Sequence, residues 1–516
     1  MQPRMNPEPR KNSPERATLY VVLLASLFRL ALGGFTGLGI DESYMVAASN
    51  RFAASYFDHP LASWWLELGS RFLFGGMTPI VVRLPFILLA ALSSFLLFVL
   101  TRRLYGAKAG FWAVAGYSIS PVFSLAFGCW VLPDGPLDAA LLAAAYALTR
   151  ALGIAERETE AEPGWWIAAG ICAGLALLSK YNAALTLTGA VIFLLTEPRA
   201  RRQLGTIRPW IAGVIAAGMF LPVIYWNFTH GWQSFHYQGG RAAGLQLHPL
   251  APLSIWGGEA LFVLPWIWLP LVALLLAALR RGPAERRGWL LAMLGMIPVL
   301  LFAVIGIWSS THILYHWAAP GYLMLFPLLG GWAARLQGRA AGWMRHIALL
   351  SAALLAAAAV VMIAELDFAV APGISQFFAP GKSPLLQAID WDSVRQELAA
   401  RGALDNPHVA LATLRWYDAG KIGYAVRGRI PVTVFGPEPH QFGISTPPSG
   451  LLGRDVLIAA MPGDISAIEA ELRPDFKAIL PAPALTVMQR GATLLVIPML
   501  LGEDLQQAPR FIAPAR

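Results

Sequence analysis

Runs of about 20 predominantly apolar residues recur along most of this chain, and no other feature restricts its fold so sharply. Such a run can cross a bilayer only as a helix or as part of a closed barrel, because hydrocarbon offers no partner to an open backbone. Segments at residues 18–36, 80–100, 109–127, 136–152, 165–180, 183–197, 209–228, 255–279, 289–308, 313–334 and 346–366 fit the helical reading. The expectation is an all-α polytopic membrane bundle of about eleven transmembrane helices, within a range of roughly ten to thirteen. Composition agrees: 13% of the residues are charged, where soluble proteins carry about 25%. The first span follows a basic stretch and is interrupted by Arg29. With no small-x-small cleavage pattern before Asp41, it reads as an uncleaved anchor and not as a secretory signal.

The net charge of +9 raises the question of a nucleic-acid partner. The basic residues are instead sorted by membrane side. With the N-terminus inside, the inner loops hold clusters such as Arg102, Arg103 and Lys108, then Arg199, Arg201 and Arg202, then Arg280, Arg281, Arg286 and Arg287. The outer loops before residue 366 hold only Arg51, Arg71, Lys180 and Arg241. This is the asymmetry of a cytoplasmic-membrane protein, so the basicity is topological and no nucleic acid is implied. Cys129 and Cys172 lie in or beside apolar segments and suggest neither a disulfide framework nor a cysteine metal site.

Sorting the loops also sorts the chemistry. Asp41, Glu42, Asp58, His59, Asp134, Lys180, Arg241, His312 and His316 all fall at outer ends of spans. The first outer loop, residues 37–79, contains two amphipathic pieces, "DESYMVAASNRFAASYF" and "HPLASWWLELGSRFLF", expected to lie as helices along the outer interface. Pro60 suits the first turn of the second, after an Asp or His cap. Trp64, Trp65 and Phe72 would face lipid or the bundle. After residue 366 the texture changes. "HVALATL", "RIPVTVFG", "RDVLIAA" and "TLLVIP" read as strands, and "WDSVRQELAARG" and "DISAIEAELRP" as helices. The domain expectation is a disordered cytoplasmic N-terminus over 1–17, a transmembrane domain over 18–366 and a small extracytoplasmic α/β domain over 381–516.

Ionisable groups at membrane depth are costly unless partnered, which makes them functional candidates. A carboxylate there can act as general base toward a hydroxyl or ligate a hard cation. A Lys, Arg or His can hold a lipid-linked phosphate. Each also has a structural reading. Asp41, Glu42 and Asp134 could cap helices, His59 could cap the second interfacial helix, Lys180 could snorkel, and Arg241 in "QGGRAAG" could sit on a solvated loop. His312 and His316 have the i, i+4 spacing of a metal pair but no third ligand, which favours packing.

The ordered set "DESYMVAASN", "YFDHPLASWW", "VRLPF", "LPDGPLDA", "GLALLSKYNAAL", "LPVIYWNFTHGWQSFHYQGGR" and "YHWAAPGY" resembles the protein mannosyltransferase and aminoarabinose transferase-like group of glycosyltransferase family 39. The resemblance covers roughly residues 18–330. It implies a GT-C fold, and a glycosyltransferase that moves a hexosyl or pentosyl unit from a polyprenyl-phosphate-linked donor to a lipid A, other cell-envelope glycan or protein acceptor, with inversion. It implies that Asp41 and Glu42 are the catalytic acidic pair, and that Tyr56, His59, Asp134, Lys180 and Arg241 lie near the donor phosphate or sugar. Some relatives carry a lysine where His59 stands, so the phosphate's cation lies among His59, Lys180 and Arg241. No cofactor is required by the pattern, though a divalent cation would suit the leaving phosphate. The placement implied is a bacterial inner membrane, multi-pass, with the site facing the periplasm. A polytopic transporter or lipid flippase is the rival reading. It predicts repeat symmetry and mid-membrane charges, whereas this chain gathers its charges on one side. A structural or assembly role accounts for neither the acidic pair nor the outer lysine.

Overall fold

The computed structural model describes residues 13–241, 243–244, 246–310, 313–368, 384–461, 463–489 and 491–509. Residues 1–12 of the N-terminus and His312 lie outside the described residues. The helices run in order α1 (Pro14–Phe35), α2 (Ile40–Ala48), α3 (Ala62–Phe74), α4 (Pro79–Tyr105), α5 (Ala107–Ile119), α6 (Phe127–Cys129), α7 (Asp134–Ala151), α8 (Trp165–Ser179), α9 (Ala183–Thr196), α10 (Pro198–Gln203) and α11 (Arg208–Thr229). They continue as α12 (Gln233–Gly240), α13 (Ala251–Val263), α14 (Pro265–Arg281), α15 (Arg286–Ile305), α16 (Ala319–Ala333), α17 (Gly338–Ile363), α18 (Asp392–Ala400), α19 (Trp416–Ala425), α20 (Phe442–Ser445) and α21 (Ile465–Leu472).

Each of the eleven apolar segments contains helix, but their lengths differ. Among the described residues six helices are long and apolar enough to cross a membrane: α1, α4, α11, α14, α15 and α17. The bent pair Ala107–Ile119 and Val122–Cys129, broken by 84°, would make a seventh. The expected eleven is therefore not reached by length and composition. Helices α8 and α9, at 15 and 14 residues, fall short of the roughly 20 an unaided span needs. The segment 255–279 is not one helix either. Its backbone breaks at Leu264, where φ is 81° ahead of Pro265, because a proline disfavours helical geometry in the residue before it. At the N-terminus, residues 14–17 are helical, contrary to the expectation of disorder. Ser13 accepts the Arg16 N–H and Pro14 takes the first turn, a pairing that starts helices well.

The chain sorts its charges between the two ends of the bundle. The loops assigned to the inner side meet one another, with Arg150 on Glu162 and Arg286 near Glu158 and Glu197. The outer ends converge on α2 and α3. These two helices were expected, but α3 begins at Ala62 with Leu61 before it, so neither Asp58 nor His59 caps it. Trp64 is wholly buried, stacked on Tyr56 with ring centroids 4.5 Å apart, while Phe72 is exposed.

The link between α1 and α2 is held by one arginine. Arg83, a turn inside α4, donates from Nε to Glu42 Oε1 at 2.7 Å and from Nη2 to Glu42 Oε2 at 2.6 Å. It also donates to the carbonyl of Gly33 in the last turn of α1, left without a helical partner, and to those of Thr36 and Gly37 just past that helix. Glu42 in turn accepts the N–H groups of Gly39 at 2.8 Å and Val131 at 3.0 Å. Both side chains are about 1% exposed.

A five-stranded sheet completes the chain, with β1 (Val409–Thr413), β2 (Val432–Val434), β3 (Asp455–Ala459), β4 (Phe476–Gln489) and β5 (Ala492–Leu505) in the order β2-β1-β3-β5-β4. The first three strands are parallel, with Leu411 opposite both Val432 and Leu457, and β5 runs antiparallel to β3 and β4. The four expected strands and two expected helices are present. Strand β4 and helix α19 were not expected.

Helix α19 packs directly on α2. Gly420 and Gly423 share a face, and a Cβ at Gly420 would sit 2.7 Å from Tyr44 Cα, so the two helices touch backbone to backbone. Between these glycines Lys421 donates to the carbonyls of Leu38, of Gln387 at 2.9 Å and of Ile389 at 3.1 Å. Burial pushes the Lys421 ammonium down to about 8. The C-terminal sheet unit is thus clamped to the same α1–α2 link that Arg83 holds.

Removing one partner of a buried ion pair strands the other, so Arg83→Met is expected to cost about 3–5 kcal/mol, and the Arg83→Met, Glu42→Leu double variant to recover part of it. Thermal unfolding in detergent reads both. Gly420→Ala is expected to cost about 1–3 kcal/mol by overpacking against Tyr44. Gly342→Ala, where nothing lies within 4 Å, serves as the control that leaves the melting temperature unharmed.

Candidate active site

A cavity of about 350 Å³ lies where α2, the loop before α3, the start of α7, the end of α8, α12 and the C-terminal unit meet. Asp41, His59, Asp134, Lys180 and Arg241 all line it, although they are far apart in the chain. Glu42 and Tyr56 do not. Adjacent residues on a helix project about 100° apart, and on α2 this turns Asp41 toward the cavity and Glu42 toward Arg83. Every Glu42 oxygen is already engaged by Arg83 and backbone N–H groups, so it has no capacity left for a substrate. Tyr56 accepts the Ala53 N–H, donates to the Arg51 carbonyl and lines a separate small pocket with Trp226 and His230.

Asp41 makes no hydrogen bond or ion pair among the described residues. Its side chain is exposed and lines the cavity. Burial first, and then the Asp58 and Glu42 carboxylates, push its carboxyl up to about 6, with Lys180 and Arg241 opposing. A group poised there can take a proton near neutral pH.

The two cations are held differently. Lys180, the residue that ends α8, places Nζ 2.8 Å from both oxygens of Asp134, the first residue of α7. Lys180 is the C-cap of α8 but its side chain turns inward, Asp134 stands one residue inside the start of α7, and the pair is buried. Arg241 sits at the end of α12, not on a solvated loop. It donates to the Tyr237 hydroxyl at 2.5 Å and lies over the rings of Tyr237 and Trp317 at 4.4 and 5.1 Å. No carboxylate pairs with it among the described residues, so it is free to take a bidentate phosphate or carboxylate. Burial first, then Lys180, depress His59 to about 3. It is therefore neutral, and its buried Nδ1 has no partner. The cationic role considered for it passes to Lys180 and Arg241.

Other cavity residues were not selected from the sequence. Tyr44 lies three residues after Asp41 on the same helix face, a spacing that could have revealed it. Its hydroxyl donates to Asp58, which also receives His440 Nδ1 at 2.6 Å. Burial alone would raise the Asp58 carboxyl, but His440, His59 and Tyr44 hold it below its usual value. His440 and Trp416 come from the C-terminal unit, whose sequence carries no signal for them. His316 lines the cavity, as do His59 and His440. Among the described residues no group of three or more His, Cys, Asp or Glu side chains could hold a metal ion.

Residues 58–226 match the family described as dolichyl-phosphate-mannose-protein mannosyltransferase. The lipid A galacturonosyltransferase RgtD of Rhizobium johnstonii is 26% identical over 314 residues, which is 60% of this chain and 63% of that protein. The match thus spans less than two thirds of the relative's length. The crystal structure of ArnT from Cupriavidus metallidurans in the apo state superposes with a TM-score of 0.60 at 15% identity, covering 95% of this chain and 98% of that one. ArnT from the same organism bound to undecaprenyl phosphate superposes with the same score at 16% identity, over 94% and 98%. The shared fold extends over the bundle and the C-terminal sheet alike. Residues 58–226 are thus similar to that mannosyltransferase family, and the multi-pass chain as a whole shares the fold of ArnT.

Proposed function

We propose that the protein transfers a sugar from a polyprenyl-phosphate-linked donor to a cell-envelope acceptor, with the transmembrane domain over 18–366 and the C-terminal α/β domain over 381–516 jointly forming the site. One observation carries this reading: an unpaired carboxylate, Asp41, shares a cavity with a lysine and an arginine suited to a phosphate leaving group. The acceptor hydroxyl attacks the anomeric carbon, its proton passes to Asp41, and the C1–O bond to phosphate breaks with the electron pair leaving on the polyprenyl phosphate. Direct displacement inverts the anomeric centre. Lys180 and Arg241 stabilise the charge that develops on the departing phosphate. In this scheme Glu42 positions Asp41 and does not touch substrate. Lipid A is the acceptor favoured by the curated relative, and a hexuronic acid is the sugar its name suggests.

The rival transporter reading loses support from the one-sided cavity. We place that cavity on the periplasmic side of a bacterial inner membrane, on the sorting of arginines to the opposite end. Accessibility labelling of cysteines placed beside residues 41 and 180 tests this: both should react from the periplasm, and labelling from opposite sides would refute the scheme.

The direct experiment incubates purified protein with labelled undecaprenyl-phosphate-linked sugar and a lipid extract from a strain lacking the protein. Label should move to the extract, and the parent strain's lipid should be heavier by one glycosyl unit. Movement of the labelled lipid across proteoliposomes without transfer would instead favour a flippase.

Asp41→Asn is expected to lower kcat by about 10²–10⁴-fold while donor half-saturation changes little. The Asp41 carboxyl is raised to about 6, so its base form is present above that pH and is lost below it. Wild-type kcat/KM should fall by about tenfold per pH unit below about 6, and this acid limb should vanish in Asp41→Asn. Arg241→Gln removes a charged hydrogen-bond donor worth about 1.5–3 kcal/mol, and should raise donor half-saturation by roughly 10–100-fold. Lys180→Met should do the same and also lower the melting temperature, because Asp134 is left buried without its partner.

A further inference from the structure

His440 is 5% exposed, lies in the wall of the cavity and comes from a loop of the C-terminal unit. Its ring is fixed from several sides. Trp416 lies 4.8 Å away at a 34° tilt, and Tyr237 and Phe57 lie 5.1 and 5.3 Å away. Nδ1 is 2.6 Å from Asp58 Oδ1. The other Asp58 oxygen accepts the Tyr44 hydroxyl, and that hydroxyl accepts the Gln441 N–H at 2.8 Å. In the neutral ring, a carboxylate beside Nδ1 favours the tautomer with the proton on that nitrogen, in which Nε2 is a lone-pair acceptor. Nε2 makes no hydrogen bond among the described residues. The backbone conformation is unusual as well, with φ of 49° at His440, a region that a residue other than glycine enters only where its surroundings hold it.

A lone pair facing the cavity repels phosphate oxygens, so this corner is unsuited to the donor's leaving group. It suits a hydroxyl. We propose that His440 is an acceptor-positioning residue: Nε2 takes a hydrogen bond from a hydroxyl of the incoming acceptor, Asp58 and Tyr44 hold the imidazole in the required tautomer, and the C-terminal unit thereby supplies the acceptor half of the site. This rests on the glycosyl-transfer reading above. It assigns the unit a role beyond covering the bundle.

Two isosteres separate binding from architecture. Asn at 440 can place its amide nitrogen where Nδ1 meets Asp58 but has nothing at Nε2, whereas Gln reaches the Nε2 position and loses the Asp58 contact. Transfer is measured with undecaprenyl-phosphate-linked sugar and graded amounts of the lipid extract from the strain lacking the protein. His440→Asn is expected to raise acceptor half-saturation by at least about tenfold with donor half-saturation and melting temperature unchanged, and His440→Gln to recover much of the acceptor affinity. Asp58→Asn offers an amide N–H to Nδ1, switches the tautomer, and should match His440→Asn in acceptor half-saturation. If His440→Asn behaves as wild type while His440→Gln is impaired, the residue only fastens the C-terminal unit and the proposal is overturned. A change confined to donor half-saturation overturns it equally. Failure of the wild type to transfer at all would remove the glycosyl-transfer reading and this inference with it, an outcome distinct from both.

Discussion

The buried contact between Arg83 and Glu42 is the interaction on which the site's geometry depends. Two charges withdrawn from water cost several kcal/mol each, and the attraction repays that only where the remaining donors and acceptors are also satisfied. Here they are. The guanidinium reaches three carbonyls at and just past the end of α1 as well as both Glu42 oxygens, and Glu42 takes two backbone N–H groups besides. The last carbonyls of α1 carry partial negative charge and gain a cation. The start of α2 carries partial positive charge and gains a carboxylate. One side chain from α4 and one from α2 thereby fix the angle at which α2 leaves the first span, and Asp41 is the neighbouring residue on that helix.

That arrangement explains why the acidic pair could be found in the sequence but not divided. Adjacent carboxylates look equivalent in a linear pattern, yet a helix turns consecutive residues to different faces, so one can meet substrate only if the other looks elsewhere. The missing information was a partner in another element, Arg83, whose motif "VRLPF" gives no hint that its arginine points back to α2. Convergence of Asp41, Asp134, Lys180 and Arg241 was legible because charges are scarce in this chain and sorting them by membrane side leaves few on the outer face. Their roles were not, since the Lys180–Asp134 pair and the stacking of Arg241 on Tyr237 are tertiary facts.

In the fold, apolar periodicity located helices well and their continuity poorly. The run through 255–279 is hydrophobic across Leu264 and Pro265, and only backbone sterics reveal the break. Strand β4 was hidden by Pro481 and Pro483, which a strand tolerates here because β4 is an edge of the sheet. Helix α19, "WYDAGKIGYA", has two glycines that weaken its intrinsic propensity. Those glycines permit the close approach to α2, so tertiary packing selected residues that local preference would reject.

The C-terminal unit is therefore better regarded as part of the cavity wall than as an appendage. Lys421 donates to Leu38 in the α1–α2 link while Arg83 holds Gly37 of the same link, and His440 reaches Asp58 in the loop that follows α2. Under the proposed reaction this has an electrostatic consequence. A phosphate arriving between Lys180 and Arg241 offsets the two cations that now oppose protonation of Asp41, so the carboxylate becomes more basic as the donor binds. Negative charge then grows on the phosphate as its bond to the sugar breaks, and the proton affinity of Asp41 rises at the moment the acceptor must release its proton. A cavity that keeps Asp41 unpaired but near both cations couples proton transfer to departure of the lipid phosphate through charge alone, with no moving part required.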